Sequence, residues 1–233
     1  MSRQYTILFD IDGTLLRTGG AGMLAINQTF REMFQIENEV KVPVRGRTDY
    51  GILGDLFRAH QINFDDHYRK FSDRYHELLP DYLPRTSGEL LPGVVSLLER
   101  LAESEFRLGI VTGNARLAAK AKLDFFGLQQ FFAFGGYGDD SGNRDDVARA
   151  AVDSAIEYVG ADFDLARCWV IGDTPADVRC ARSVGVKAAA VLTGGYEITD
   201  FDELTPDLIL RDLYEFSPEN VINRIQGASE ISE

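Results

Sequence analysis

Four short runs of this chain, residues 5–11, 107–112, 167–171 and 187–192, are apolar almost without interruption, are mostly rich in β-branched and aromatic side chains, and run into Gly, Asp or Thr. A strand with one wet face alternates apolar and polar residues, whereas a strand covered on both faces does not. The four runs are therefore predicted to be buried strands, with weaker strands near 131–134 and at 207–210. Between the later runs lie stretches at helical spacing: 94–102, with Val95, Leu98 and Leu101 at i, i+3 and i+6, then 115–126 and 146–158. Buried strands alternating with helices favour a doubly wound parallel sheet, a Rossmann-like α/β core.

Residues 19–87 break that alternation. Met23, Ile26, Phe30 and Met33 share one helical face, and Phe64, Tyr68, Phe71, Tyr75 and Leu78 share another. Residues 49–59 read as a third helix, and no strand pattern is present in the segment. The organisation predicted is an α/β core of residues 1–18 and 88–233 carrying an all-helical cap domain of residues 19–87. The glycines of 19–22 and the stretch Leu83-Pro84-Arg85-Thr86-Ser87-Gly88 are the expected hinges. Residues 227–233 are expected to be a frayed polar tail.

Composition narrows the function classes. The 24 Lys and Arg face 37 Asp and Glu, a formal net charge of −13. Such a chain lacks the basic footprint of a duplex binder and is not drawn to anionic membranes, so neither nucleic acid nor membrane is an expected partner. An anionic ligand would need a bound cation or a few local Arg and Lys. Cys168 and Cys180 form no C-x-x-C pair, and His60, His67 and His76 show no H-x-x-x-H spacing, which disfavours zinc. No apolar run approaches the ~18 residues of a membrane helix, and Arg3 precedes any signal-peptide core, so the expected setting is cytoplasmic and reducing.

The chemistry gathers where predicted strands end. Asp10 and Asp12 lie two apart at the end of the first, so in extended backbone they point the same way. Two such carboxylates repel unless one is protonated or a cation lies between them. A plain Asp-Gly turn is the simpler alternative. Thr112-Gly113-Asn114 ends the second strand, where a hydroxyl and free amides at a helix start could cradle phosphate, or could merely cap the helix. In Gly172-Asp173-Thr174-Pro175-Ala176-Asp177 a capping box explains Thr174, Pro175 and Asp177 but not Asp173. A parallel sheet delivers all these ends to one edge, where ligands bind. Asp10, Asp12, Asp173 and Asp177 together imply a hard divalent cation, most simply Mg²⁺.

Asp-Ile-Asp-Gly-Thr-Leu, Val-Thr-Gly-Asn and Gly-Asp-Thr-Pro-Ala-Asp, in this order and with a helical insert after the first, resemble the haloacid-dehalogenase superfamily of phosphohydrolases, most closely its phosphoglycolate-phosphatase-like branch. The resemblance spans essentially the whole chain. It implies a phosphatase acting on small phosphorylated molecules, as a monomer or homodimer, with Mg²⁺, a mobile cap and a covalent aspartyl-phosphate. Asp10 would be the nucleophile and Asp12 the general acid and base. Thr112, with backbone amides near Gly113 and Asn114, would hold the phosphoryl oxygens. Asp173 would bind Mg²⁺ with Asp10 and the backbone carbonyl of Asp12, and Asp177 would support the metal, directly or from outside its ligands.

One element departs from the family pattern. Where a Lys is usual, the chain reads Gly142-Asn143-Arg144-Asp145-Asp146, and Arg144 is its only basic residue. Arg can grip phosphate with two parallel hydrogen bonds, or it can pair with its Asp neighbours on the surface. In the cap segment, Arg45 and Arg47 are candidate substrate contacts, with a solvated loop as the alternative.

Three rival readings differ in class. Gly20-Ala21-Gly22-Met23-Leu24-Ala25 matches a dinucleotide-binding glycine pattern, but it does not follow the first strand directly. A phospho-accepting signalling domain would lack both the insertion and an acid beside the nucleophile. A phosphosugar mutase on the same fold stays open. Dehalogenation is disfavoured, because the dehalogenases of the superfamily lack the acid at the position of Asp12.

Overall fold

The computed structural model describes residues 4–37 and 40–218; the tail expected at 227–233 lies outside them. In chain order the strands are β1 (Tyr5–Phe9), β2 (Leu16–Arg17), β3 (Glu89–Leu90), β4 (Phe106–Val111), β5 (Phe134–Gly136), β6 (Cys168–Gly172), β7 (Lys187–Val191) and β8 (Leu208–Leu210). The helices are α1 (Ala21–Phe34), α2 (Asp49–Ala59), α3 (Phe64–Tyr82), α4 (Val94–Ala102), α5 (Arg116–Phe125), α6 (Arg144–Val159) and α7 (Pro175–Ser183).

Six strands form one parallel sheet in the order β5-β4-β1-β6-β7-β8. From β1 the chain runs outward through β4 to β5, then crosses to the other side of β1 for β6, β7 and β8. The reversal falls between β1 and β6, and the crevice beyond the carboxyl ends of two such strands is where open α/β sheets take ligands. The predicted doubly wound sheet is present. Successive side chains of β1 serve opposite faces: Ile7 and Phe9 pack with Leu97, Leu98 and Leu101 of α4, while Leu8 packs with Val147 and Ala151 of α6 and Val178 of α7. Trp169 and Cys168 are core residues, as expected from their apolar strand.

Between β2 and β3 the described residues hold α1, α2 and α3 and no strand. Their shared core includes Ile26, Phe30, Leu53, Phe57, Phe71 and Tyr75, and it continues onto Ala115 and Ala118 at the start of α5. The outgoing and returning chains are joined by the antiparallel pair β2–β3, with Leu16 opposite Leu90, and by Thr86 Oγ1 donating to the Thr18 carbonyl at 2.6 Å. Among the described residues no helix is long and apolar enough to cross a membrane.

Three local expectations shift. On α4 the buried face is Val94, Leu97, Leu98 and Leu101, and Val95 is 41% exposed, because repeated steps of three drift off a face set by 3.6 residues per turn. The weak strand expected at 131–134 begins only at Phe134; Phe131 ends a short 3₁₀ turn and Phe132 follows it, both packed on the core. Helix α6 starts at Arg144 rather than 146, because the Asn143 side chain accepts from the Asp145 amide and caps it there.

Candidate active site

The ladder of β1 and β6 continues one residue beyond the strand, with the Asp10 amide donating to the Ile171 carbonyl at 2.9 Å. Asp10 is thus placed by the sheet itself. The chain then turns at Gly13, where φ is +89° and a Cβ would stand 2.5 Å from Oδ2 of Asp173. Only glycine satisfies both the left-handed backbone and that approach. Thr14, next in line, donates from Oγ1 to Oδ1 of Asp173 at 3.3 Å.

At the end of β6 the anticipated capping box is present. Thr174 Oγ1 accepts from the Asp177 amide at 3.3 Å, and Asp177 Oδ2 accepts from the Thr174 amide at 3.0 Å. The cap occupies one oxygen of Asp177 and leaves Oδ1 to face inward. Carboxylate oxygens of Asp10, Asp173 and Asp177 lie within 4.8 Å of one another, and all three residues are buried. Burial first, and then repulsion from Asp177 and Asp12, push Asp10 up to about 7 against the pull of Arg144. Burial, then Asp10 and Asp177, push Asp173 up to about 9. Three buried acids this close would hold protons unless positive charge replaces them, and a hard cation with oxygen ligands fits that donor set.

Arg144 turns inward rather than pairing with Asp145 and Asp146. As the first residue of α6 it is 8% exposed, donating to Oδ1 of Asp177 and, at 3.4 Å, to Oδ1 of Asp10. Burial works against its charge, but Asp177 and Asp10 outweigh that and keep it protonated. Its buried Nε–H has no partner among the described residues, a donor of the kind that a bound oxyanion would satisfy.

The end of β4 is built differently. Thr112 is fully buried, and its Oγ1 accepts from Asn114 Nδ2 at 2.8 Å. Asn114 Nδ2 also donates to Oδ2 of Asp12 at 2.7 Å. So Thr112 and Asn114 face Asp12 and do not cap α5. That helix start is completed by distant acids: Asp49 Oδ2 accepts from the Ala115 amide at 2.9 Å, and Asp139 accepts from the Arg116 amide at 3.0 and 3.1 Å. The Asp49 amide in turn donates to the Gly113 carbonyl at 2.7 Å. A Cβ on Gly113 would lie 2.0 Å from the Arg47 carbonyl, so a side chain there would push the 45–49 segment off the core.

Two residues absent from the sequence reading therefore belong to the site, Asp49 and Lys122. Lys122 is 5% exposed and donates from Nζ to Oδ2 of Asp12 at 2.6 Å and to Oδ1 of Asn114 at 2.5 Å. The sequence did hold a signal: Lys122 falls on the buried stripe Ala118, Ala119 and Leu123, where an unpaired ammonium would be costly. Nothing local marked Asp49, whose partners lie some 65 residues away.

All ten sequence-predicted residues line or abut one cavity of about 250 Å³, walled by both the sheet edge and the inserted helices. The two cap arginines separate. Arg47 donates to Oδ2 of Asp55 at 2.5 Å and to the Gly51 carbonyl at 3.1 Å, so its guanidinium is held within the cap. Arg45 reaches across to the core, 5.9 Å from the Tyr196 ring centre, and makes no ion pair among the described residues.

Comparison with known proteins identifies relatives along most of the chain. The phosphoglycolate phosphatase of Agrobacterium fabrum is 25% identical over 218 residues, covering 91% of this chain and 90% of its own. The pyrophosphatase PpaX of Halalkalibacterium halodurans is 28% identical over 220 residues, covering 89% and 93%. Among solved structures, CbbY from Rhodobacter sphaeroides in complex with phosphate shares the fold, with a TM-score of 0.74 at 19% identity, over 94% of this chain and 99% of that one. A family model for haloacid dehalogenase-like hydrolases matches residues 7–191, strand ends and insertion included, and the chain belongs to that family of enzymes.

Proposed function

We propose that this protein is a Mg²⁺-dependent phosphatase that hydrolyses small phosphomonoesters through a phosphoryl group carried on Asp10. The observation that carries the reading is the meeting of Asp10, Asp173 and Asp177 with Arg144 at the switch point of the sheet. In this reading Asp10 attacks phosphorus in line and the bond to the ester oxygen breaks. Asp12 gives its proton to the departing alkoxide. Asp12 then takes a proton from the water that attacks the acyl phosphate, releasing inorganic phosphate and restoring Asp10. Mg²⁺, held by Asp10, Asp173, the Asp12 carbonyl and the support of Asp177, would supply charge opposite the phosphoryl oxygens. Arg144, Thr112 and the amides near Gly113 and Asn114 grip the same oxygens, so positioning and charge neutralisation provide most of the rate.

Residues 19–87 act as a cap that closes on the core and keeps bulk water from the acyl phosphate, hinging at residues 19–22 and 83–88. The two relatives named above act on phosphoglycolate and pyrophosphate, small substrates with a second anionic group. Arg45, which lines the cavity and makes no ion pair among the described residues, is the residue we assign to such a group; Arg47 supports the loop that carries it. Two buried free thiols, Cys168 and Cys180, accord with a reducing, cytoplasmic setting.

The test is phosphate release across a panel of phosphomonoesters and pyrophosphate, comparing wild type with Asp10→Asn. Turnover that disappears with EDTA and in the variant is expected. Turnover that survives Asp10→Asn would sink the reading. Within the panel, Arg45→Ala should raise KM for doubly anionic substrates and leave a plain aryl phosphate unchanged.

A further inference from the structure

Lys122 is a buried cation that the mechanism above does not use. It sits two turns into α5, between the apolar layer beneath the sheet edge and the cavity. The site thus has two buried cations with separate partners. Arg144 contacts Asp10 and Asp177, whereas Lys122 contacts Asp12 and Asn114.

The geometry at Asp12 is one-sided. Oδ2 accepts from Lys122 Nζ at 2.6 Å and from Asn114 Nδ2 at 2.7 Å. A carboxylate oxygen offers about two lone-pair sites, so these two donors use what Oδ2 has. Oδ1 is left to the cavity, and the Asp12 side chain is 41% exposed despite its buried neighbours. Oδ1 is therefore the oxygen of Asp12 that is open to the cavity. Asn114 is itself held, because its Oδ1 accepts from Lys122 at 2.5 Å and its Nδ2 also donates to Thr112. Removing the ammonium would free both Asp12 and the amide that shares it.

We propose that Lys122 is a positioning residue for leaving-group protonation, fixing the Asp12 carboxylate by one oxygen so that the other delivers its proton to the ester oxygen as the phosphorus–oxygen bond breaks. Lys122 transfers no proton itself. The proposal rests on the phosphatase reading and refines which residues make its acid step work. It also assigns α5, otherwise a packing helix, a part in the site.

The experiment uses two substrates that differ in their need for a proton. An alkyl phosphate leaves as a strongly basic alkoxide, whereas 4-nitrophenyl phosphate leaves as a stable phenolate. For Lys122→Met, kcat/KM on the alkyl ester is expected to fall about 100-fold, the lower end of what general acid catalysis contributes, and on the aryl ester no more than about fivefold. Lys122→Ala should behave alike, and added ethylammonium, which can occupy the vacated space, should restore part of the alkyl-ester rate. Melting curves of both variants report whether the fold is kept. Equal losses on the two esters, or a rise in KM at unchanged kcat, would overturn the proposal while leaving the phosphatase reading intact. A wild-type protein that hydrolyses neither ester would overturn that reading and this proposal with it.

Discussion

The corners after β6 and after β4 look alike in sequence, each a buried strand running through a glycine and a hydroxyl residue into a helix, yet they are completed in opposite ways. After β6 the helix cap is local: Thr174 caps, Pro175 takes the first helical position, and Asp177 answers three residues later. After β4 no side chain of the corner caps α5, and the first amides are received by Asp49 and Asp139. The start of α7 is therefore closed by its own residues. The β4 corner is a joint, completed at the Ala115 amide only when residues 45–50 lie on the core. Chemistry divides the same way. The first corner carries Asp173 and Asp177 beside Asp10. The joint carries Thr112, Asn114 and, through Asn114, Asp12.

Substitutions can test that division. The largest loss is expected at the β6 corner. Asp173→Asn should lower turnover about 10³-fold or more, since it removes a charge from the cation site without altering shape. Added Mg²⁺ should then no longer raise the melting temperature, and a variant that still gains stability from Mg²⁺ would mean that Asp173 is no ligand. At the joint the effect should be smaller and of another kind. Asp49→Ala uncaps α5 and loosens the docked segment, so kcat/KM should fall about 10- to 100-fold as the leaving-group side loses its register. Hydrogen exchange provides the check: the Ala115 amide, which Asp49 receives, should exchange faster while those of α7 do not change. Equal acceleration at both corners would erase the distinction.

That contrast also explains what the sequence could disclose. The sheet was legible because strands buried on both faces leave uninterrupted apolar runs, and the acids at their ends stood out as charges where none was needed for folding. The α7 cap was legible because its partners lie within four residues. Arg144 was found by its place in the family pattern, though its direction was not, since that depends on Asn143 starting α6 two residues earlier than periodicity suggests. Lys122 was hidden in a helix read only for packing. Asp49 was hidden by distance along the chain, with the rest of α2, then α3, β3, α4 and β4, between it and the amide it receives. Arg45 and Arg47 were found as a pair, but only three-dimensional structure separates them, because Asp55 sits one helical turn from Gly51 and takes Arg47.

Two milder tests address the stability of the β6 corner. Asp10, at about 7, and Asp173, at about 9, both lie above the ordinary carboxylate value in the fold. From about pH 4 up to those values the folded, metal-free chain binds more protons than the unfolded one, so stability falls as pH rises. The melting temperature in EDTA should therefore drop by several degrees between about pH 5 and about pH 9, and Mg²⁺ should recover most of that loss, chiefly at the alkaline end. A flat profile in EDTA would mean that the acids are neutralised by the protein alone, with Arg144 sufficient. The smallest effect is expected from Thr174→Ala, which removes the local cap. It should cost about 1 kcal/mol, or about 2–4 °C in a chain of this size. Turnover should change little at temperatures where the protein is folded, because Asp177 Oδ1 keeps Arg144. If instead Thr174→Ala lowered activity as much as Asp49→Ala, the β6 corner would depend on its cap for catalytic register, and its contrast with the β4 corner would be a matter of sequence distance alone.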